Sequence, residues 1–121
     1  MSNGSGSNER RQFYRLRYPE ADRPKLQFDN MEYHVVELSE SGVRIALSRW
    51  QLGDGRSVVG WIRFYDGEAI PIEGIVLRTE GEEVVVQLSL GVSLKRMLDE
   101  QRRLIQLYPF LFERSESDPQ T

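Results

Sequence analysis

Lys25-Leu26-Gln27-Phe28-Asp29-Asn30-Met31-Glu32-Tyr33-His34-Val35-Val36-Glu37-Leu38 is the stretch that decides the fold class. Two apolar-rich runs, Lys25 to Phe28 and Glu32 to Leu38, flank Asp29-Asn30, a turn-prone pair. In the second run Tyr33, Val35 and Glu37 alternate with His34, Val36 and Leu38, and β-branched and aromatic residues dominate. The stretch therefore predicts a β-hairpin.

Working outward, the same signals recur. Val43 to Leu47 sets Val43, Ile45 and Leu47 inward against Arg44 and Ala46. Leu52-Gly53-Asp54-Gly55 reads as a loop and Ser57 to Tyr65 as a strand. Asp66-Gly67 is a strong hairpin signal. Ala69 to Thr79 follows, with Pro71 suggesting an edge or a bulge near its start. Glu80-Gly81 is another turn, and Glu82 to Leu90 closes the β section, with Glu82-Glu83 read as a solvated pair at the turn. After Gly91 the period becomes helical. Ser93 is the expected N-cap. Leu94, Met97, Leu98, Leu104, Ile105 and Tyr108 recur at three and four, with Lys95, Arg96, Asp99, Glu100, Arg102 and Arg103 opposite. Pro109 stops the helix, and Phe110, Leu111 and Phe112 are expected to fold back onto the core. Short strands at hairpin spacing predict an all-β fold, a six-stranded antiparallel β-barrel, with one C-terminal helix over an opening.

The 121 residues suit one domain. Residues 1–8 are Gly/Ser-rich and read as a flexible lead-in; residues 9–112 form the domain, and 113–121 read as a disordered tail. No apolar run reaches the roughly 20 residues of a membrane helix, so membrane insertion is not expected. The absence of cysteine excludes disulfides and thiolate chemistry and fits a cytoplasmic protein. Catalysis and resident cofactors find little support. The single histidine, His34, sits in a strand without metal-ligand company, and no serine has a base at a recognised spacing.

Formal net charge is -3, yet positive charge is concentrated locally. Between Glu9 and Lys25, six basic residues face three acidic ones, on an arm that Pro19 and Pro24 keep from forming a long helix and that Phe13, Leu16 and Tyr18 are expected to pin to the domain. Such a patch suits a small, multiply charged anion better than a long polyanion. Arg10, Arg11 and Arg15 supply planar donors that match phosphate oxygens bidentately and stack on nucleobases. At the end of a strand, Glu37-x-Ser39-x-x-Gly42 adds an acceptor, a hydroxyl and a glycine that opens unusual backbone conformations and close ligand approach. Each segment alone also fits a plain structural role: a solvated basic arm, or a turn whose serine bonds its own backbone.

Together, Arg11-Gln12-Phe13-Tyr14-Arg15 and Glu37-Leu38-Ser39-Glu40-Ser41-Gly42 resemble the paired motifs of the PilZ domain family, R-x-x-x-R followed by [D/N]-x-S-x-x-G. The resemblance covers about residues 9 to 108 and agrees with the barrel-plus-helix pattern. It implies a bacterial cytoplasmic receptor for cyclic di-GMP, not an enzyme. Arg11 and Arg15 would hold phosphates and stack on guanine, Ser39 and Gly42 would line the turn beneath the ligand, and Arg10 would help clamp a second ligand molecule. It also implies that the arm orders on ligand binding and presents a new surface to a protein partner. Glu37 departs from the family's Asp or Asn by one methylene. Two alternatives remain. One is a PilZ-like adaptor that binds no nucleotide because of Glu37. The other, disfavoured by the acidic total, is a single-stranded nucleic-acid binder using Trp50, Trp61 and Tyr65.

Overall fold

The computed structural model describes residues 15–47 and 52–110. The expectations for residues 1–8 and 113–121, and for Arg10, Arg11, Phe13, Trp50, Leu111 and Phe112, lie outside these residues. Among the described residues, seven strands and one α-helix follow in order: β1 Leu16–Arg17, β2 Lys25–Phe28, β3 Met31–Leu38, β4 Gly42–Ala46, β5 Ser57–Arg63, β6 Ala69–Glu80, β7 Glu83–Leu90 and α1 Leu94–Leu107. A short 3-10 turn, Glu20–Asp22, separates β1 from β2.

Every neighbouring pair is antiparallel, and the ring runs β3-β2-β5-β6-β7-β4 and back to β3. This is the six-stranded antiparallel barrel expected from the sequence. The two-residue β1 is an addition to it, pairing Leu16 with Leu38 and Arg17 with Glu37 on the edge of β3 that β2 occupies, beyond the end of β2. The β2–β3 turn is tight because Asp29 and Asn30 both take left-handed backbone, at φ 60° and 62°. That conformation matches the twist of the flanking strands. Pro71 pairs with Trp61 of β5, while the first β6 residue facing β7 is Glu73. Pro71 thus lies where β6 is still an edge on its β7 side, so its missing N–H removes no bond from that ladder.

Inward side chains fill the barrel. Leu26, Val35, Leu38, Ile45, Val58, Ile62, Ile72, Val84 and Val86 are buried, joined by Met97 and Leu104 from α1. The alternation in β3 breaks once. A register shift between Val35 and Glu37 buries Val35 and Val36 in succession. The bulge turns Leu38 inward and leaves Glu37 on the outside, the reverse of strict alternation from Tyr33. Val36 is covered by the arm, where its carbonyl accepts from the Tyr18 N–H at 2.9 Å. Leu16 and Tyr18 are buried and fix the arm to the barrel, as expected.

α1 begins as expected: the Ser93 side chain accepts from the Arg96 N–H at 3.1 Å. Its buried face, however, is only partly the one the apolar period suggests: Met97 and Leu104 are buried as expected, but two charged residues join them. Arg96 is 9% exposed and Glu100 0%, whereas Leu94, Ile105 and Leu107 are exposed. The reason is a set of ionic partners brought from elsewhere. Tyr18 donates its hydroxyl to Glu100 at 2.7 Å, and Arg103 reaches Glu100 at 3.3 Å and Asp22 at 3.5 Å. Arg96 is held by Asp66 at 3.0 Å and by Glu68, and its guanidinium stacks over Phe64. Arg103 lies over the Tyr65 ring, 4.0 Å from its centroid. Tyr108 donates to Asp22. Buried charges are tolerated where they are paired and hydrogen-bonded. Phe110 is exposed and does not fold back. No described helix is long and apolar enough to cross a membrane.

Burial, and after it the neighbouring Glu100 charge, pushes the Tyr18 phenol far above its ordinary value of 10.0. As pH rises past that value, the unfolded chain releases this proton while the folded chain keeps it, so stability falls with rising pH. Tyr18→Phe is expected to cost about 1.5–3 kcal/mol at pH 7, through the lost bond to a charged acceptor. Its stability should also decline less steeply above pH 10.0 than the parent's. Urea unfolding across this range is the measurement; equal slopes in the two proteins would contradict the assignment.

Candidate functional site

The site is built on one transverse row across five strands. Arg17 pairs with Glu37, Glu37 with Arg44, Arg44 with Val85 and Val85 with Arg78. Cα partners in a ladder point to the same face, so four charged side chains converge on the outside of the barrel. The β3 bulge is what gives Glu37 its place in that row.

Glu37 is 16% exposed at its side chain and meets three guanidinium groups. Arg17 stands at 3.3 Å, Arg15 at 3.5 Å and Arg44 at 3.5 Å. Arg44 also reaches Glu80 at 2.7 Å and Glu83 at 3.5 Å, and Arg78 pairs with Glu80. Hydrogen bonds from Arg44 and then Arg78 draw the Glu80 carboxyl down to about 2. The bond to Glu80 also raises the Arg44 guanidinium above its ordinary value. Arg44 and Glu80 therefore keep their charges through the physiological pH range.

The turn after β3 closes on itself. The Ser39 N–H donates to the Gly42 carbonyl at 2.9 Å, and the Ser39 hydroxyl approaches the same carbonyl at 3.4 Å. Gly42 has no left-handed φ; those belong to Gly55, Gly67 and Gly81. Conformational freedom is therefore not why glycine stands there. A Cβ at Gly42 would lie 3.3 Å from the Val86 carbonyl oxygen and 3.8 Å from Ser39 Oγ. A side chain there would be tight against β7, because β4 passes close along it.

Of the residues expected from sequence, Arg15, Glu37, Ser39 and Gly42 line one open cavity of about 280 Å³. Arg10 and Arg11 lie outside the described residues. The motif reading does not reach Arg44 and Arg78, which line the same cavity, or Arg17, Glu80 and Glu83, which share the ion-pair cluster. Arg44 carries a usable signal: it stands between the inward Val43 and Ile45, two residues after Gly42. Glu83 is not a solvated turn residue; its carboxylate reaches Arg44 and Arg17. Among the described residues no group of three or more His, Cys, Asp or Glu could hold a metal ion. His34 is an exposed residue of β3.

No curated protein matches the chain. Among solved structures, the crystal structure of the Legionella uncharacterized protein Lpg0364 is similar, with a TM-score of 0.58 and 16% sequence identity over 78% of this chain and 96% of that one. At that identity the likeness concerns the fold. A family model, the PilZ domain, matches residues 9–110. That span takes in the arginine arm, the barrel and the helix, and the chain belongs to the PilZ domain family.

Proposed function

We propose that this PilZ domain is a cytoplasmic cyclic di-GMP receptor that acts without catalysis, orders its N-terminal arginine arm on the ligand and signals to a protein partner. The observation that carries this reading is the meeting of Arg15, Glu37, Ser39 and Gly42 on one cavity. Arg15 would give its guanidinium to a phosphate and stack on guanine, with Arg11 acting beside it. Arg10 would clamp a second ligand molecule. Ser39 and Gly42 would form the floor.

The ion pair at Glu37 has to yield for Arg15 to do this. The Arg15 side chain is 75% exposed and its contact with Glu37 is 3.5 Å long. Exposed pairs of this kind contribute about 0–1 kcal/mol. A charge-assisted bond to phosphate is worth about 1.5–3 kcal/mol. Exchange of Glu37 for a phosphate is therefore favourable at Arg15. Arg44, more enclosed and shared with Glu80 and Glu83, would stay with the barrel.

The Glu37 clasp also favours a second reading, an adaptor that binds no nucleotide because its own carboxylate occupies the arginines. Calorimetric titration with cyclic di-GMP, with GTP and the linear dinucleotide as controls, separates the two. Selective, saturable binding is expected, and two ligands per chain would support the role assigned to Arg10. No binding far above micromolar concentrations would overturn the receptor reading.

Arg11→Ala and Arg15→Ala are each expected to abolish binding while leaving the thermal unfolding midpoint in place. Unchanged affinity in either variant would contradict a phosphate-holding role for that arginine. Glu37→Asp draws the carboxylate back by one methylene from the guanidinium groups. It is expected to bind as tightly as the parent or tighter. A clear loss of affinity would mean that Glu37 itself contacts the ligand.

A further inference from the structure

On the outer face of β5, β6 and β7, a lone carboxylate stands within a ring of exposed apolar side chains. Glu73 pairs with Val59 on one side and Leu90 on the other. Pro71 and Ile75 precede and follow it on the same face of β6, and Trp61 pairs with Pro71. Val59 is 61% exposed, Trp61 51%, Leu90 45% and Ile75 44%. Outward positions of a barrel are ordinarily polar, so four large apolar groups around one position form a patch that water alone does not explain. Beyond Trp61 lies a shallow groove of about 440 Å³, lined also by Phe28, Asn30, Met31 and Glu32.

The centre of the patch defines its occupant. Glu37, Glu80 and Glu83, outward carboxylates elsewhere on the barrel wall, are each held by an arginine, while Glu32 of β3, at the edge of the groove, is exposed and in no ion pair among the described residues. Glu73 has no basic side chain within ion-pair distance among the described residues; the neighbouring Ser89 hydroxyl donates to its backbone carbonyl, not to its carboxylate. Any surface that covers Val59, Trp61 and Leu90 must also cover this carboxylate. A buried carboxylate is costly unless a cation pairs with it. The covering surface must therefore bring its own. Nucleic acid and an anionic membrane carry the wrong sign. A second copy docked patch to patch would place carboxylate against carboxylate, because the ring around Glu73 contains no cation.

We propose that this face docks a protein partner whose contact surface is an apolar stripe with a lysine or arginine at its centre, seated on Glu73, and an apolar anchor entering the groove beside Trp61. Exposed tryptophan next to a pocket is the usual chemistry of a binding hot spot. The Ser57–Ile75–Gln87 row joins the face to the candidate ligand cavity, which Gln87 and Leu77 line. The proposal deepens the partner half of the function proposed above and does not depend on nucleotide binding.

The test is selection of displayed random 12-residue peptides on the purified full chain, with depletion on Trp61→Ser. Enriched peptides are then measured by fluorescence anisotropy. They are expected to share apolar residues around a lysine or arginine. Glu73→Lys should weaken them at least tenfold and Glu73→Gln less. Exchanging the peptide's cation for glutamate should restore binding to Glu73→Lys. Both positions are exposed, so the unfolding midpoint should not move, and cyclic di-GMP titration of Glu73→Lys should match the parent, whatever that result is. Enriched peptides without a cation, affinity unchanged in Glu73→Lys, or no enrichment over Trp61→Ser would each overturn the proposal. Self-association of the parent that Glu73→Lys abolishes would overturn it as well, in favour of a second copy.

Discussion

A closed barrel has one inside, and every strand must keep its apolar residues there. β3 meets that constraint only by changing phase once, at Val35 and Val36. Tyr33 and Val35 point inward before the bulge and Leu38 after it, and all three are buried. Without the extra residue, Leu38 would face water and Glu37 would face the core, an arrangement costing both apolar burial and an unpaired charge. The same shift sets Glu37 between Arg17 and Arg44. Core packing and site geometry thus follow from one irregularity.

The second organising element is the ionic seam beneath the helix. Arg96, Glu100 and Arg103 lie three and four residues apart, on one stripe of α1. They are met by Tyr18 and Asp22 from the later part of the arm, and by Asp66 and Glu68 from the β5–β6 turn. Apolar residues could have filled this space at similar stability. What the charges add is a defined orientation: the hydrogen bonds fix how the helix sits on the barrel and tie it to the segment that carries Arg15 and Arg17. Helix, barrel and the end of the arm are therefore held together as one unit.

Much of the fold is legible in the sequence because its signals are local. Asp29-Asn30, Asp66-Gly67 and Ser93 each act on neighbouring backbone, and the β2–β3 hairpin and the helix start appear where those residues put them. The bulge is hidden, since Val35-Val36 reads as ordinary strand until β4 fixes the register. The buried face of the helix is hidden for a related reason. Charges at helical spacing look solvated unless partners far along the chain, Tyr18 and Asp66 in this case, are known to be waiting. Glu37 stands out as a departure from a motif, but its three arginine partners come from two strands and the arm and cannot be counted from the sequence. Gly42 is legible as a glycine of the turn, though its place has a different reason: the close passage of Val86, not a special φ, leaves a Cβ little room.

β1 is short enough to pass as incidental. β2 ends its pairing with β3 at His34, and beyond that point the Pro24 carbonyl, the Tyr18 N–H and β1 cover the outer edge of β3. Uncovered, that edge would offer unpaired amide and carbonyl groups beside an apolar Val36, the template on which foreign strands assemble. The arm's last residues are thus also a guard against aggregation. A signalling motion that lifted them fully from the barrel would expose a sticky edge, so any workable motion must leave Leu16 and Tyr18 in place and confine its travel to the residues before them.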